Sequence, residues 1–385
     1  MKGKNMENRI YDQDVLVREF DATVVQSWER NGRYYATLDK TAFFPEGGGQ
    51  GADHGTLNDV QVLDAHEKEG WIVHELSAPL EEGQKVHGVL DWERRFDHMQ
   101  QHSGEHIFSG LVHSTFGYDN VGFHLGADVV TMDFSGPLSQ EQIDDIEYRA
   151  NEAVWKNLPI ETLLPDAETL KKMEYRSKKE LSGQVRLVHI PGIDMCACCG
   201  THVKQTGAIG QIKVIAWQHY KQGVRITILC GKRALAYTNR QLQELHRAGV
   251  LLSAKQDRVA QTVEKLMHDR DQANYDRDQL AWKLFLKETE RLPAEPARIM
   301  VCEGLSREQL AKAALFLAGE NATGLSVQKA EDQWEFALAD LKRDIRTLTG
   351  GLRTAFGGKG GGKAELSQGK FERFDPEEAK KILSE

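Results

Sequence analysis

Three histidines recur at intervals of four residues in the stretch FDHMQQHSGEHIFSGLV. They are His98, His102 and His106, and a helix would place all three on one face. Two imidazoles at positions i and i+4 of a helix can bind one metal ion. A second motif, CACCGTH, contains Cys198 and His202, which are again four residues apart. The two motifs together predict a metal site.

The residue types in the two motifs indicate which metal would bind. Thiolate sulfur and imidazole nitrogen suit zinc far better than magnesium or calcium. Spacing leaves the ligand set open, because His102 can pair with the histidine before it or the one after it. Cys196 or Cys199 can likewise replace Cys198. The chain has five cysteines, three of them in the second motif, which is typical of a metal site or free thiols and not of a disulfide framework.

A glycine-rich segment, LDKTAFFPEGGGQGADHG, precedes the histidines. Its three consecutive glycines indicate a backbone that turns tightly or approaches a ligand closely. Glu46 and Gln50 flank the glycines and add a carboxylate and an amide to a loop with exposed N–H groups. The segment is no Walker A loop, since it lacks the Gly-Lys-Ser/Thr ending. A flexible hairpin loop is the alternative interpretation.

Hydrophobic periodicity predicts an α+β protein in four parts around these motifs. Hairpin turns are predicted at Asn31-Gly32 and Asn58-Asp59. The parts are a small N-terminal β domain, an α+β domain with the metal motifs, a long helical segment and a C-terminal α/β domain, at residues 1–92, 93–231, 232–292 and 293–385.

Two further segments lie in the last two parts. The stretch from Val250 to Leu292 contains no Gly or Pro, and its 4-3 pattern of apolar residues predicts a helix of about 65 Å if unbroken. An antiparallel helical hairpin and an intermolecular coiled coil both fit this pattern, so a homodimer through the helical or C-terminal segment is one expectation. Residues 350–363 are predicted to form a Gly-rich loop with three basic residues and no acid, a composition that suits phosphate binding.

The composition of the chain argues against several classes of protein. A formal net charge of −9 argues against a protein that coats nucleic acid indiscriminately, although it allows a local basic surface. No apolar run reaches the ~20 residues needed to cross a membrane, so no membrane partner is expected. The N-terminus has no apolar stretch after its charges, which predicts a cytoplasmic protein.

HSGEH followed by CCGTHV resembles the editing domain of alanyl-tRNA synthetases and of the free-standing AlaX proteins. Their pattern is H-x-x-x-H and then C-x-x-x-H-V. Residue by residue, the resemblance implies one Zn²⁺ per chain, bound by His102, His106, Cys198 and His202. His98 then lies one helical turn outside the ligand set. The chain departs from the family at Cys199, where the family usually has glycine.

The glycine-rich segment carries the same resemblance, since TAFFPEGGGQ matches the family signature T-x-F-[FY]-P-x-G-G-G-Q. The match implies that the Thr41 hydroxyl can hydrogen-bond the hydroxyl of a seryl group. Such a hydrogen bond distinguishes serine from alanine better than a pocket that selects by size alone. GFHLGADVVTMDF resembles a strand region of the family, although a structural histidine is the alternative there. The implied substrate-binding residues are Thr41, Gly47, Gly48, Gly49 and His124. The implied catalytic residues are Gln50, which with the loop N–H groups would stabilise an oxyanion, and Glu46 as a candidate base.

The resemblance to the long form of AlaX extends over nearly the whole chain. It implies a trans-editing hydrolase that deacylates mischarged tRNA for alanine, with seryl-tRNA as the main substrate and glycyl-tRNA as a second one. It also implies a C-terminal nucleic-acid-binding domain of alanyl-tRNA synthetase type. The β domain begins almost at residue 1 and leaves no room for a synthetase core, so no aminoacylation is expected.

Two other functions compete with this one. A non-catalytic tRNA-binding protein with a structural zinc is the main alternative, because four protein ligands close a tetrahedral site and closed sites are usually structural. A metal-dependent phosphoesterase related through the C-terminal domain alone is disfavoured, since the chain has no Asp-His-His sequence.

Overall fold

The computed structural model describes residues 8–177 and 185–384. The outer ends of the first and last predicted parts, and seven residues inside the second, lie outside the described residues. The chain falls into two units, Met1–Glu244 and Leu245–Glu385, and each contains helices and strands. This confirms the mixed α+β class. No helix in the described ranges is both long and apolar enough to span a membrane.

The first unit begins with a six-stranded barrel, which the short helix α1 (Ile10–Gln13) precedes. The barrel strands are β1 (Glu19–Arg30), β2 (Arg33–Leu38), β3 (Gly55–Leu57), β4 (Val60–Lys68), β5 (Trp71–Leu76) and β6 (Lys85–Leu90). They pair in the order β1-β2-β5-β4-β3-β6, and β6 returns to pair with β1, so the barrel is closed. Its interior holds apolar side chains such as Phe20, Val24, Leu57 and Val86.

The hairpin turns predicted for the β domain are confirmed. Asn31 and Gly32 adopt φ angles of 54° and 76° between β1 and β2, and Asn58 has φ 52° between β3 and β4. Positive φ at both Asn31 and Gly32 gives the tight turn whose twist matches that of the paired strands. Closure of the barrel is a finding that local patterns do not contain, because it depends on pairing between its first and last strands.

The helix α2 (Trp92–Phe116) follows the barrel directly and carries the three histidines of the first motif. Asp91 caps its N-terminus by accepting a hydrogen bond from the Arg94 amide, and Gly117 ends it with φ 71°. The elements that follow are β7 (Asn120–Leu125), β8 (Val130–Phe134), α3 (Gln140–Trp155), β9 (Glu161–Leu163), α4 (Ala167–Leu170), β10 (Leu187–Ile190), β11 (Asp194–Ala197), a 3₁₀ helix (Thr206–Ile209), β12 (Ile212–Tyr220) and β13 (Gly223–Cys230).

These strands form a four-stranded sheet ordered β12-β13-β8-β7 and a three-stranded sheet ordered β11-β10-β9. Ile107 of α2, Met132 of the larger sheet and Ile146 of α3 belong to one apolar core. A capping box formed by Ser139 and Gln142 starts α3. Most of α2 is buried, including its polar residues, because other elements surround it. The metal motif therefore lies in the interior of the first unit.

The long helical segment consists of two helices. The helix α5 (Gly231–Leu251) ends before a turn that contains a 3₁₀ helix (Gln256–Arg258), and α6 (Val259–Thr289) follows. Ser253 has φ 51° in that turn, which interrupts helical geometry. The helix predicted from Val250 to Leu292 is therefore not continuous, and α6 covers its part from Val259 to Thr289. Coiled-coil pairing and dimer formation remain predictions.

The C-terminal part contains a five-stranded sheet ordered β14-β15-β16-β18-β17, in which β14 and β15 are parallel. Its elements are β14 (Ala297–Val301), α7 (Arg307–Ala318), β15 (Thr323–Ala330), β16 (Gln333–Ala339), α8 (Arg346–Phe356), β17 (Lys359–Gly362), β18 (Leu366–Phe371) and α9 (Pro376–Ser384). The predicted Gly-rich loop at 350–363 is instead the end of α8, a turn and β17. Glycine is required in this sheet because a Cβ at Gly369 would lie 2.7 Å from the ring of Phe336.

Candidate metal centre

The structure brings together the four side chains that the resemblance selects. Their donor atoms all lie within 4.8 Å of one another, and they belong to His102, His106, Cys198 and His202. The two motifs meet because α2 supplies the first pair and the loop after β11 supplies the second. Cys198 Sγ lies 3.4 Å from Nε2 of His102 and 3.5 Å from Nε2 of His202. Three imidazole nitrogens and one sulfur fit a tetrahedral zinc ion. We call these four residues the metal cluster.

A different side chain holds the Nδ1 atom of each histidine in the metal cluster. A hydrogen bond at Nδ1 fixes the ring and the tautomer, so that Nε2 is available to a metal. The Nδ1 pairs are His102 with Gln50 Oε1 at 2.9 Å, His106 with Asp194 Oδ2 at 3.0 Å, and His202 with Ser103 Oγ at 3.2 Å. The cluster therefore has the outer shell of hydrogen bonds that metal-binding histidines require.

Asp194 is the charged member of this outer shell. Its two carboxylate oxygens accept hydrogen bonds from Nε and Nη2 of Arg176, both at 2.8 Å. Burial alone would raise the pKa of Asp194, but the bonds from His106 and Arg176 outweigh burial and lower it. A Cβ at Gly110 would lie 2.7 Å from Cβ of Asp194, so only glycine at this position of α2 lets the carboxylate approach.

Gln50 is fully buried and uses both ends of its amide within the site. Its Oε1 is 2.9 Å from Nδ1 of His102 and also accepts from the Thr201 amide at 3.2 Å. Its Nε2 donates to Thr201 Oγ1 at 2.8 Å. The oxyanion role that the resemblance implies needs the Gln50 N–H group to point at the substrate. In the structure this N–H group donates to Thr201 instead. Gln50 joins the first metal-cluster histidine to the loop that carries the last.

The glycine triplet forms a two-residue turn beside the metal cluster. Gly47 and Gln50 exchange backbone hydrogen bonds of 3.0 Å, and Gly48 and Gly49 between them have φ angles of 61° and 83°. We call residues 47–50 the glycine turn. It lies against Phe123, because a Cβ at Gly49 would be 2.6 Å from that ring.

Phe123 connects the glycine turn to the metal cluster. Its ring stacks on the His102 imidazole, with centroids 5.0 Å apart and planes 29° apart. Cys199 lies on the other side of the turn, since its sulfur is 3.0 Å from where a Cβ of Gly48 would be. The turn therefore sits between the strand β7 and the loop that carries the second metal motif.

Cys198 is the cysteine that joins all three histidines. A second group of neighbouring donors consists of His106, Asp194 and Cys196, and Cys199 belongs to neither group among the residues that the structure describes. Burial alone would raise the pKa of the Cys198 thiol, but the neighbouring imidazoles outweigh burial and lower the pKa well below its ordinary value. Burial raises the pKa of the Cys196 thiol, and Cys199 is exposed. Since metals bind the thiolate, these contrasts favour Cys198 as the ligand.

Thr41 lies inside the barrel. It is 3% exposed, its Oγ1 is 2.9 Å from Nε2 of His74, and it accepts from the Phe43 amide at 3.1 Å. Burial lowers the pKa of His74 to about 4, and its Nδ1 is 3.2 Å from the Ala36 carbonyl. The neutral imidazole therefore donates to that carbonyl and accepts from the Thr41 hydroxyl. This use of the hydroxyl within the barrel differs from the implied contact with a seryl group.

Glu46, His98 and His124 also lie outside the metal cluster. Glu46 is exposed immediately before the glycine turn. His124 is exposed on β7, where alternation along the strand turns it away from the side on which Phe123 meets His102. Burial lowers the pKa of His98 to about 4, and its Nδ1 has no hydrogen-bond partner among the described residues.

Arg186 holds the loop that contains the second metal motif. Its Nη1 donates to the carbonyl oxygens of Cys198 at 2.9 Å and Gly200 at 3.0 Å. Gly200 itself has no room for a side chain, because a Cβ there would lie 2.2 Å from Cε1 of His102. The sequence gives a signal for Ser103 and Thr201, which lie within the two motifs. No spacing pattern in the sequence indicates that Arg176, Arg186 or Asp194 lies near the metal cluster.

Comparison with known proteins agrees with this geometry. Residues 185–227 match the family model described as the threonyl and alanyl tRNA synthetase second additional domain, and residues 5–94 match class II (A) tRNA synthetases. The chain is 30% identical over 393 residues to the alanyl-tRNA editing protein AlaX-L of Pyrococcus horikoshii, which covers 97% of this chain and 96% of that protein.

Two further relatives cover the chain differently. The alanyl-tRNA editing protein Aarsd1 of Danio rerio is 33% identical over 271 residues, which is 66% of each chain. The alanine–tRNA ligase of Pyrococcus furiosus is 30% identical over 408 residues, which covers 97% of this chain and 43% of the ligase. The chain thus spans less than half of the ligase that it matches.

Proposed function

The chain belongs to the family of alanyl-tRNA editing proteins that includes AlaX-L, and from this membership we propose that it deacylates mischarged tRNA for alanine in trans. The bond to be hydrolysed is the ester between an aminoacyl group and the terminal adenosine. Seryl-tRNA is the main proposed substrate and glycyl-tRNA a second. The observation that supports this most strongly is the metal cluster, which is assembled from two distant segments beside the glycine turn.

The four residues of the metal cluster are proposed to hold one zinc ion. Nε2 of His102, His106 and His202 and Sγ of Cys198 would be its ligands. When bound, zinc would supply a Lewis acid and a fixed positive charge beside the ester carbonyl. Four protein ligands fill a tetrahedral zinc site and leave no position for the ester. We therefore assign the orientation of the ester to residues outside the metal cluster.

The residues around the cluster are proposed to position the substrate. Gln50 acts through His102 and is a positioning residue. The amides of Gly47 and Gln50 are used within the glycine turn, which makes the amides of Gly48 and Gly49 the candidates for binding the developing oxyanion. Glu46, on the solvent side of that turn, is the candidate base.

The second unit is proposed to bind the tRNA body. A groove beside β17 and β18 is lined by glycines, by the cations Arg307, Lys359 and Lys370, and by two carboxylates, of which Glu335 pairs with Lys370. Exposed cations next to bare backbone suit a phosphate chain, whose contacts weaken as salt concentration rises. This would give an acidic protein a local basic surface.

The closed ligand set favours one alternative function. Structural zinc sites have four protein ligands, whereas catalytic sites usually keep one position open. A tRNA-binding protein with structural zinc would therefore share the metal cluster and the C-terminal groove. It would lack turnover.

The experiment that separates these functions is a deacylation assay with the purified full-length protein. Seryl-, glycyl- and alanyl-tRNA for alanine are compared as substrates, and the alanyl ester is the matched control. We expect rapid loss of the seryl ester, slower loss of the glycyl ester and sparing of the alanyl ester. Zinc-replete protein that binds tRNA but hydrolyses none of the three esters would support the alternative function.

A further inference from the structure

Glu105 is a buried carboxylate next to His106 on α2, and it is only 1% exposed. Its Oε1 accepts hydrogen bonds from Oγ of Ser109 at 2.7 Å and from Nδ2 of Asn120 at 2.6 Å. Its Oε2 lies 3.8 Å from Nε2 of His106, the nitrogen available to a metal. Two neutral donors therefore fix the carboxylate with one oxygen near the metal cluster.

The distances exclude Glu105 from the ligand set itself. It is not among the residues whose donor atoms all lie within 4.8 Å of one another. Two ligands of one zinc ion, with bonds of about 2.0–2.3 Å, are at most about 4.6 Å apart. Glu105 is therefore an outer neighbour of the site, as Asp194 is, but its contacts point to a different role.

The charges of the buried residues around the cluster indicate that role. Glu105, Asp194 and a Cys198 thiolate contribute three negative charges, and Arg176 contributes one positive charge. Histidines that bind a metal ion are neutral and add no charge. Two negative charges remain, and a divalent cation cancels them. Without the charge of Glu105, the same residues and cation would carry one excess positive charge in a poorly solvated interior, which is unfavourable.

We propose that Glu105 is a positioning residue whose buried negative charge strengthens the binding of a divalent metal ion by the four ligands. The proposal rests on the zinc site described under the proposed function. The proposal is that the charge of Glu105 raises the affinity for the metal ion. If Glu105 served only to bond Ser109 and Asn120, its shape and not its charge would matter for that affinity. Charge and shape can be separated by substitution.

The test compares the full-length Glu105→Gln and Glu105→Asp variants with the wild type. Zn²⁺ affinity is measured by competition with a chromophoric chelator, and circular dichroism checks the fold. Glutamine keeps the shape and an acceptor oxygen but loses the charge, whereas aspartate keeps the charge and loses length. We expect Glu105→Gln to lose roughly 10–100-fold in Zn²⁺ affinity, and Glu105→Asp to lose less.

Glu147→Gln is the matched control. Glu147 lies on α3 and accepts from Lys213 and from the Val214 amide, both at 2.6 Å, so it is a bonded carboxylate outside the metal cluster. Its replacement should leave Zn²⁺ affinity unchanged. Glu105→Gln with wild-type affinity, or Glu105→Asp weaker than Glu105→Gln, would overturn the proposal.

Two other outcomes are distinguishable. If the wild type binds no Zn²⁺, the metal site of the proposed function fails, and the role of Glu105 fails with it. If Glu105→Gln does not fold, Glu105→Asp decides alone: a loss below about tenfold supports the charge effect, and a larger loss contradicts it.

Discussion

Nδ1 of His106 lies 3.0 Å from Oδ2 of Asp194, and Arg176 binds both oxygens of the same carboxylate. The carboxylate thereby fixes the ring of a metal-cluster histidine and is itself fixed by a guanidinium. Such carboxylate–histidine pairs orient the ligand and raise its basicity. A residue outside both metal motifs thus orients one histidine of the metal cluster.

Replacement of Asp194 by alanine tests this relationship. We expect Asp194→Ala to weaken Zn²⁺ binding by roughly 10–100-fold, since the His106 ring loses its anchor. Competition with a chelator measures the affinity. Asp133→Ala is the control, because Asp133 also pairs with an arginine in the first unit, Arg225, at 2.6 Å. Equal affinities of the two variants would contradict the anchoring role.

Substitutions at Gln50 separate positioning from oxyanion stabilisation. Gln50→Ala removes the acceptor at Nδ1 of His102, and we expect kcat to fall roughly 10–100-fold with little change in KM. Gln50→Glu keeps an acceptor oxygen and should retain more activity than Gln50→Ala. A direct oxyanion donor predicts the reverse order, because a carboxylate repels a developing negative charge. Steady-state deacylation of seryl-tRNA gives both constants.

The buried ion pair of Arg95 and Asp53 ties α2 to the loop that carries the glycine turn. Both side chains are fully buried, and Arg95 also donates to the Ala42 carbonyl. We expect Arg95→Met to lower the free energy of unfolding by about 3–5 kcal/mol, because Asp53 is left as an uncompensated buried charge.

Urea unfolding of the first unit measures this cost, with Arg225→Met as the control. The Arg225 side chain is 34% exposed in its pair with Asp133, so its replacement should cost only about 0–1 kcal/mol. The double variant Arg95→Met/Asp53→Asn should be more stable than Arg95→Met alone. If Arg95→Met costs no more than the control, the pair is not what holds this loop to the helix.

His74 predicts a specific loss of stability in acid. Burial lowers its pKa from 6.5 to about 4 in the folded chain, so protonation favours the unfolded chain. Its contribution is complete above pH 6.5, is lost as the pH falls, and is fully lost near pH 4. From that shift we expect the wild type to lose up to about 3 kcal/mol relative to His74→Gln over this interval. Parallel curves of unfolding free energy against pH for the two proteins would contradict this.

Local spacing predicted that the two motifs form a metal site, and the resemblance to the editing family selected the four residues that the structure brings together. Four-residue spacing places His102 and His106 on one helix face, and the second motif has the same spacing. The outer residues obey no such rule. Asp194 reaches the cluster only because Gly110 leaves room on α2, and Arg176 only because its segment pairs with β11. These contacts depend on tertiary structure.

Two features of the fold were not predicted from the sequence, and both depend on contacts beyond the local pattern. Barrel closure depends on β1 pairing with β6, which no local pattern encodes. The break between α5 and α6 contains no Gly or Pro, but Gly249 lies just before it and its carbonyl accepts from the Ala254 amide at 2.8 Å. A Cβ at Gly249 would lie 2.9 Å from the Ala254 carbonyl oxygen, so this glycine was the available signal.

The most direct test of the central claim measures zinc content and seryl-tRNA deacylation on the same preparations of wild type and His102→Ala. If the metal cluster is the centre of an editing site, the wild type contains one zinc per chain and hydrolyses the seryl ester while it spares the alanyl ester. His102→Ala should then lose both zinc and turnover. A zinc-free His102→Ala protein that hydrolyses seryl-tRNA at the wild-type rate would contradict the account.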